Sequence, residues 1–196
     1  MSAKLISIIG PPAVGKTTLA CCLANEMPAT LIREDYQGNP FLVESYLGSA
    51  EACLPAQMHF LMSRVGQLAL AAWPDEGLVV SDYGFCQDRI YAAAKLSADE
   101  LRLYERLARR VEGLVYDPDV IVHLDAPESV LLERISVRGR KHEKVMTSRF
   151  LQVMRIAYNE IDQTGNCAVI HVECTATDFC DPHRRRELIA QIRALL

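Results

Sequence analysis

The stretch GPPAVGKTT at residues 10–18 restricts the fold of this chain more than any other, and it directly follows the apolar run KLISII. Gly10, Gly15, Lys16 and Thr17 satisfy the pattern G-x-x-x-x-G-K-[ST]. Glycines at those two positions let successive backbone N–H groups turn inward on phosphate oxygens. Ala13, Val14 and Thr18 belong to the same cradle. The Lys16 ammonium can reach the β- and γ-phosphates, and the Thr17 hydroxyl can hold Mg²⁺. A helix beginning at Lys16 and Thr17 adds its positive dipole end. The motif sits between an apolar strand candidate and an Ala- and Leu-rich helix candidate, which is the context it needs. The chain therefore handles a nucleoside triphosphate, taken as ATP with Mg²⁺.

Apolar runs alternate with longer helical periods along the rest of the chain. Strands are predicted at 4–10, 29–33, 78–82, 119–125 and 167–174. Helices are predicted from Thr17 to about Met27, over 52–73, around 86–94, over 98–115, from Pro127 to about Arg138, over 146–162, and after Asp181 and Pro182. Residues 33–40 read as a polar loop. Ser97 and Glu100 form a capping box, Asp181 is a cap, and Pro127 and Pro182 suit first helical positions. Strands that are apolar without alternation are covered on both faces. Strands separated by helices are joined by parallel crossovers. The expected architecture is a three-layer α/β domain over residues 1–196, with roughly five parallel strands.

Bulk properties narrow the class further. The 196 residues suffice for one domain with its own core, and the formal net charge is −4 with no basic half. That opposes a dedicated nucleic-acid binder, whose affinity rests on neutralising phosphates. The seven cysteines, at 21, 22, 53, 86, 167, 174 and 180, form no Cys-x-x-Cys pair. A reducing, cytoplasmic setting is expected, and no run has the length of a membrane span.

The phosphate can go to water or to a second molecule. A guanine-reading Asn-Lys-x-Asp is absent from the sequence. Asp82, after LVVS, and Asp125, after VIVHL, both end hydrophobic strands as a Mg²⁺-binding carboxylate would. The run RISVRGRKHE at 134–143 puts Arg134 and Arg138 on one helix face, with Arg140 beyond Gly139. It reads either as a solvated basic helix end or as a lid, about residues 138–145, folding arginines over transferring phosphates. A lid that excludes water points to phosphorylation of a second substrate.

GPPAVGKTTLA, NPFLVESYLG, AQMHFLMSR, SDYGFCQDRIYAA, RISVRGRKHE and, more loosely, ATDFCDP lie in one order along the chain. Together they resemble the deoxynucleoside kinases, especially the bacterial deoxyadenosine/deoxyguanosine type. The resemblance implies a P-loop kinase fold and transfer of the ATP γ-phosphate to the 5′-hydroxyl of a 2′-deoxynucleoside. It implies Asp82 as the catalytic carboxylate, which suits a poor nucleophile that must lose its proton. Lys16, Arg134, Arg138 and Arg140 stabilise the phosphoryl group in flight, and Arg138 also contacts the nucleotide. Gln57, Arg64 and Asp88 read the base, and Arg89 lies near the reacting phosphate or Asp82. Tyr46 and Glu143 contact the sugar, and crowd a 2′-hydroxyl. Glu34 lies near the 5′-hydroxyl, with Asp35 competing for that place. Many family members carry Glu-Arg-Ser where this chain has Asp-Tyr-Gly at 82–84, so any contact of that arginine is in question.

The resemblance also implies a homodimer, with the helices at 52–73 and 98–115 as its interface, and a loop in 174–186 over the adenine of ATP. Two other readings stay open at this level. One is a nucleoside monophosphate kinase of thymidylate-kinase type. The other is a regulatory P-loop ATPase that uses the same helices to dock a partner.

Overall fold

The computed structural model describes residues 2–161, 167–175, 179 and 181–196. Five parallel strands form one sheet: β1 (Lys4–Ile9), β2 (Thr30–Ile32), β3 (Leu78–Ser81), β4 (Val120–Asp125) and β5 (Ala168–Glu173). Their order across the sheet is β2-β3-β1-β4-β5. Eight α-helices accompany them among the described residues: α1 (Lys16–Glu26), α2 (Leu42–Tyr46), α3 (Ala50–Gln67), α4 (Gln87–Lys95), α5 (Ala98–Val111), α6 (Glu128–Arg138), α7 (Ser148–Ile161) and α8 (Pro182–Leu195).

Each face of the sheet has its own core, which is why the strands read as unbroken apolar runs. Ile6 and Ile8 of β1, Val80 of β3, and Val120, Val122 and Leu124 of β4 pack with Leu19 and Leu23 of α1. Leu131 and Ile135 of α6 and Leu188, Ile189 and Ile192 of α8 complete that layer. On the opposite face Ile9 and Ile121 meet Ile90 of α4 and Met154 and Tyr158 of α7. Leu5 and Val79 meet Leu68, at the end of α3. The period of two along β1 thus divides one strand between two cores.

Local signals act largely as expected. Ser97 and Glu100 cap α5 reciprocally, and the Asp181 carboxylate accepts from the His183 N–H at 2.8 Å, with Pro182 at the start of α8. Pro127 is a correction: it is the cap residue before α6 rather than the first helical residue. The helix predicted over 52–73 ends at Gln67, where Leu68 turns in to the core and its carbonyl accepts from the Tyr116 N–H at 2.8 Å; a separate 3₁₀ turn covers Leu70–Ala72. Likewise α5 stops at Val111 and continues as a 3₁₀ turn, Glu112–Leu114. The helix α2, five residues long, was not predicted, because too few turns exist to show a period.

The topology brings two loops together. Adjacent β1 and β3 are parallel, so the turn after Ile9 and the residue after Ser81 emerge side by side at the carboxyl edge, where open α/β sheets bind ligands. Gly10 has φ 138°, and a Cβ there would stand 2.2 Å from the Leu124 carbonyl oxygen of β4. Gly10 thus lets the loop leave β1 against β4. Gly10→Ala is expected to cost about 2 kcal/mol or more in unfolding free energy, from positive φ plus backbone clash. Urea denaturation would measure it.

Candidate active site

A cavity of about 390 Å³ opens at that carboxyl edge. One end is the loop Pro12–Thr18, and the other is walled by Glu34, Leu42, Tyr46, Gln57, Phe60, Arg64, Tyr91 and Lys95. Arg134, Arg138, Arg140, His142, Glu143, Met146 and Phe179 line it as well.

The loop is held open by left-handed backbone at Gly10, Ala13 and Gly15, with φ of 138°, 63° and 114°. Lys16 Nζ donates to the carbonyls of Gly10 and Pro11, at 2.8 and 3.0 Å. These neutral acceptors are weaker partners than phosphate oxygens. Burial lowers the Lys16 pKa to about 8, opposed by the Asp82 carboxylate and assisted by Arg138. Thr17 and Thr18 line the cavity, whereas Gly10 does not.

Asp82, one residue past β3, joins the loop to the other wall. Its Oδ2 accepts from the Thr17 hydroxyl at 2.6 Å, and its Oδ1 accepts from the Glu34 N–H at 2.8 Å. Burial raises its pKa, while the Thr17 hydrogen bond and Lys16 pull it down. The other strand-end acid, Asp125, is occupied elsewhere. Arg155 grips both its oxygens at 2.7 Å and also pairs with Glu128.

Arg64 is buried against the rings of Phe60 and Tyr83, at 5.2 and 5.3 Å. Its guanidinium bonds both Asp88 and Glu34. Burial pushes Asp88 up to about 6, and Arg64 opposes that shift. Glu34 Oε1 also accepts from Gln87 Nε2 at 3.0 Å, and the Gln87 Oε1 accepts from the Tyr158 hydroxyl at 3.4 Å. Gln57 Oε1 and Asp88 Oδ2 are buried without a hydrogen-bond partner. Asp88 is not among the cavity-lining residues and stands behind Arg64. Glu34 rather than Asp35 faces the cavity, since the Asp35 carboxylate accepts from the Gly38 N–H at 2.8 Å. Tyr83 is a fully buried platform beneath Arg64 whose hydroxyl donates to Gln67 Oε1 at 2.8 Å.

The arginines of the 134–143 run do different things. Arg134 donates to the Val14 and Cys174 carbonyls, at 3.3 and 2.7 Å, and so braces the phosphate loop. Arg138 Nε and Arg140 Nη1 meet the buried carboxylate of Glu143 at 2.9 and 3.2 Å. Arg140 also stacks over Tyr36 at 4.1 Å. Arg89 requires a correction. It is half exposed, pairs with Glu112 at 2.6 Å, and does not line the cavity, because its position on α4 faces α5 rather than Asp82. Of the adenine-covering stretch, residues 176–178 and 180 lie outside the described residues, and Phe179 lines the cavity.

Tyr36, Tyr91, Lys95, His142, Gln87 and Phe179 were not singled out from the sequence. Phe60 entered only as apolar bulk. Nothing local marks Gln87 or Lys95, whose roles arise from contacts with distant segments.

A strand, a phosphate loop, a helix and a strand-end carboxylate lining one cavity with them define a P-loop phosphotransferase. The sequence profile of the deoxynucleoside kinases matches residues 6–196, and the chain belongs to that family. It is 29% identical to a deoxyguanosine kinase of Bacillus subtilis (strain 168) over 188 residues, covering 91% of this chain and 90% of that one. It is 28% identical to a deoxyadenosine kinase of Dictyostelium discoideum, covering 94% of this chain and 77% of the other. Its fold matches the solved deoxyadenosine kinase from M. mycoides with dCMP and dCDP bound, at a TM-score of 0.84 and 16% identity, over 98% of this chain and all of that one.

The Lys16 shift predicts a pH dependence. As pH rises through about 8 the ammonium loses its proton, so triphosphate affinity falls. Calorimetric titration with a non-hydrolysable triphosphate between pH 6.5 and 9.5 is expected to show that decline.

Proposed function

We propose that this chain transfers the γ-phosphoryl group of ATP to the 5′-hydroxyl of a 2′-deoxynucleoside, with purines preferred. Family membership supports the reaction class, and the deoxyguanosine and deoxyadenosine kinases among its relatives support the purine preference. The observation that carries the reading is the Asp82 carboxylate, bonded to Thr17 on the phosphate side and to the Glu34 backbone on the acceptor side. A group so placed meets both the transferring phosphate and the attacking alcohol.

Asp82 accepts the hydroxyl proton as the P–O bond forms. Lys16 leaves its two carbonyl partners for the β- and γ-oxygens. The Thr17 hydroxyl and the Asp82 carboxylate lie side by side and suit a small hard cation, so they would hold Mg²⁺. Bound there, Mg²⁺ supplies positive charge to the phosphate oxygens. Glu34, held by Arg64 and Gln87, orients the 5′-hydroxyl. Gln57 keeps unmet acceptor capacity for an amino group of the base, and Asp88, behind Arg64, holds the guanidinium that faces it. Tyr46 and Glu143 hold the sugar.

The segment at about 138–145 acts as the lid. Arg138 and Arg140 pair with Glu143 there and can turn to the phosphate when nucleotide enters. Leu103 and Leu107, four apart on α5, are 48% and 40% exposed beside α3, which supports association with a second copy. The described cysteines are free thiols, in keeping with a cytoplasmic setting.

Labelled ATP, Mg²⁺ and a panel of deoxynucleosides, adenosine and deoxynucleoside monophosphates would test the reading. Label is expected on the 5′-oxygen of deoxyadenosine or deoxyguanosine, with adenosine poor. Label confined to monophosphates, or hydrolysis indifferent to acceptor, would overturn it. Asp82→Asn is expected to lower kcat by about 10²-fold or more while ATP binding stays near normal.

A further inference from the structure

Lys95 ends α4 at the acceptor end of the cavity. Its Nζ is shielded from solvent and has no hydrogen-bond acceptor. The other described cations lining the cavity are each engaged. Lys16 and Arg134 donate to carbonyls, Arg64 to Glu34 and Asp88, and Arg138 and Arg140 to Glu143. Lys95 instead lies over the ring of Tyr46, 3.1 Å from its centroid. Attraction to one ring replaces only part of the hydration that three N–H donors give up on burial. Burial lowers its pKa to about 8, with Cys53 opposing, so the ammonium is still mostly charged at neutral pH.

The Tyr46 hydroxyl extends from the ring that the ammonium covers. Nζ stands over one face of that ring, so an oxygen that bonds the hydroxyl at about 2.8 Å from that face, rather than in the ring plane, comes within reach of Lys95 Nζ. Glu143, the other group assigned to the sugar, is already balanced by Arg138 and Arg140, so its charge leaves Lys95 without a partner. We propose that Lys95 is a further substrate-binding residue, donating from its ammonium to the 3′-oxygen of the deoxyribose on which Tyr46 also acts. The proposal rests on the nucleoside-kinase reading and extends it to a specificity for acceptors that carry a 3′-oxygen.

A cycle between protein and substrate tests it. Wild type, Lys95→Met and Lys95→Leu would each be assayed with a 2′-deoxynucleoside and with the matching 2′,3′-dideoxynucleoside, after melting curves establish folding. Either variant suffices, so misfolding of one leaves the test intact. The expected result is a loss of about tenfold in kcat/KM on the deoxynucleoside, carried mainly by KM, from a charge-assisted hydrogen bond. On the dideoxynucleoside the loss is expected to be at least about fivefold smaller. Equal losses on both substrates would show that Lys95 only supports Tyr46 or the fold, and would overturn the proposal. So would the absence of loss on the deoxynucleoside, or failure of both variants to fold. Failure of the underlying reading looks different: wild type would then phosphorylate no deoxynucleoside at all.

Discussion

The Asp82 carboxylate is the contact on which the site depends. One oxygen holds the first turn of α1 through Thr17, and the other holds the segment after β2 through the Glu34 N–H. Three loops from the carboxyl edges of β1, β2 and β3 thus meet at one side chain. Such a group is partly desolvated, which raises its pKa, yet two donors keep its charge supported. A carboxylate in that balance can hold a fixed geometry and still take a proton.

Charges of both signs share the cavity. Lys16, Arg64, Arg134, Arg138 and Arg140 line it together with Glu34, Asp82 and Glu143. Arg64 bonds two carboxylates and lies over the rings of Phe60 and Tyr83. A buried ion pair adds little net stability over an apolar replacement, but its geometry is hard to replace. The arrangement therefore reads as one that orients Asp88 and Glu34. Tyr83 contributes to it as a ring beneath the guanidinium, which is a packing role and no chemical replacement for an arginine.

Much of the fold was legible because its causes are local. Five apolar runs, the glycine-rich turn, the Ser97–Glu100 box and Asp181-Pro182 each specify their element within a few residues. Boundaries failed where a tertiary contact overrode the period. The helix expected to 73 stops at Gln67 because Leu68 is drawn in to the core. In the site, the loop residues Lys16 and Thr17 and the strand-end Asp82 follow from spacing, because strand, turn and helix leave little freedom. Arg89 and Asp88 do not. Neighbours in sequence and about 100° apart around α4, they reach different partners, Arg89 an exposed Glu112 and Asp88 a buried Arg64.

By itself the sequence determined a phosphate cradle after a buried strand, a parallel sheet with helices on both faces, and membership of a kinase family. Those features rest on short-range geometry and on residue order. Only the tertiary structure decided that the other strand-end acid, Asp125, is claimed by Arg155, which comes from α7, thirty residues on. It also decided that Glu34 rather than Asp35 turns inward, that Gln87 joins the acceptor wall, and that the Lys95 ammonium is enclosed against Tyr46. Each of these depends on which distant side chain claims a polar group first, and chain packing alone sets that competition.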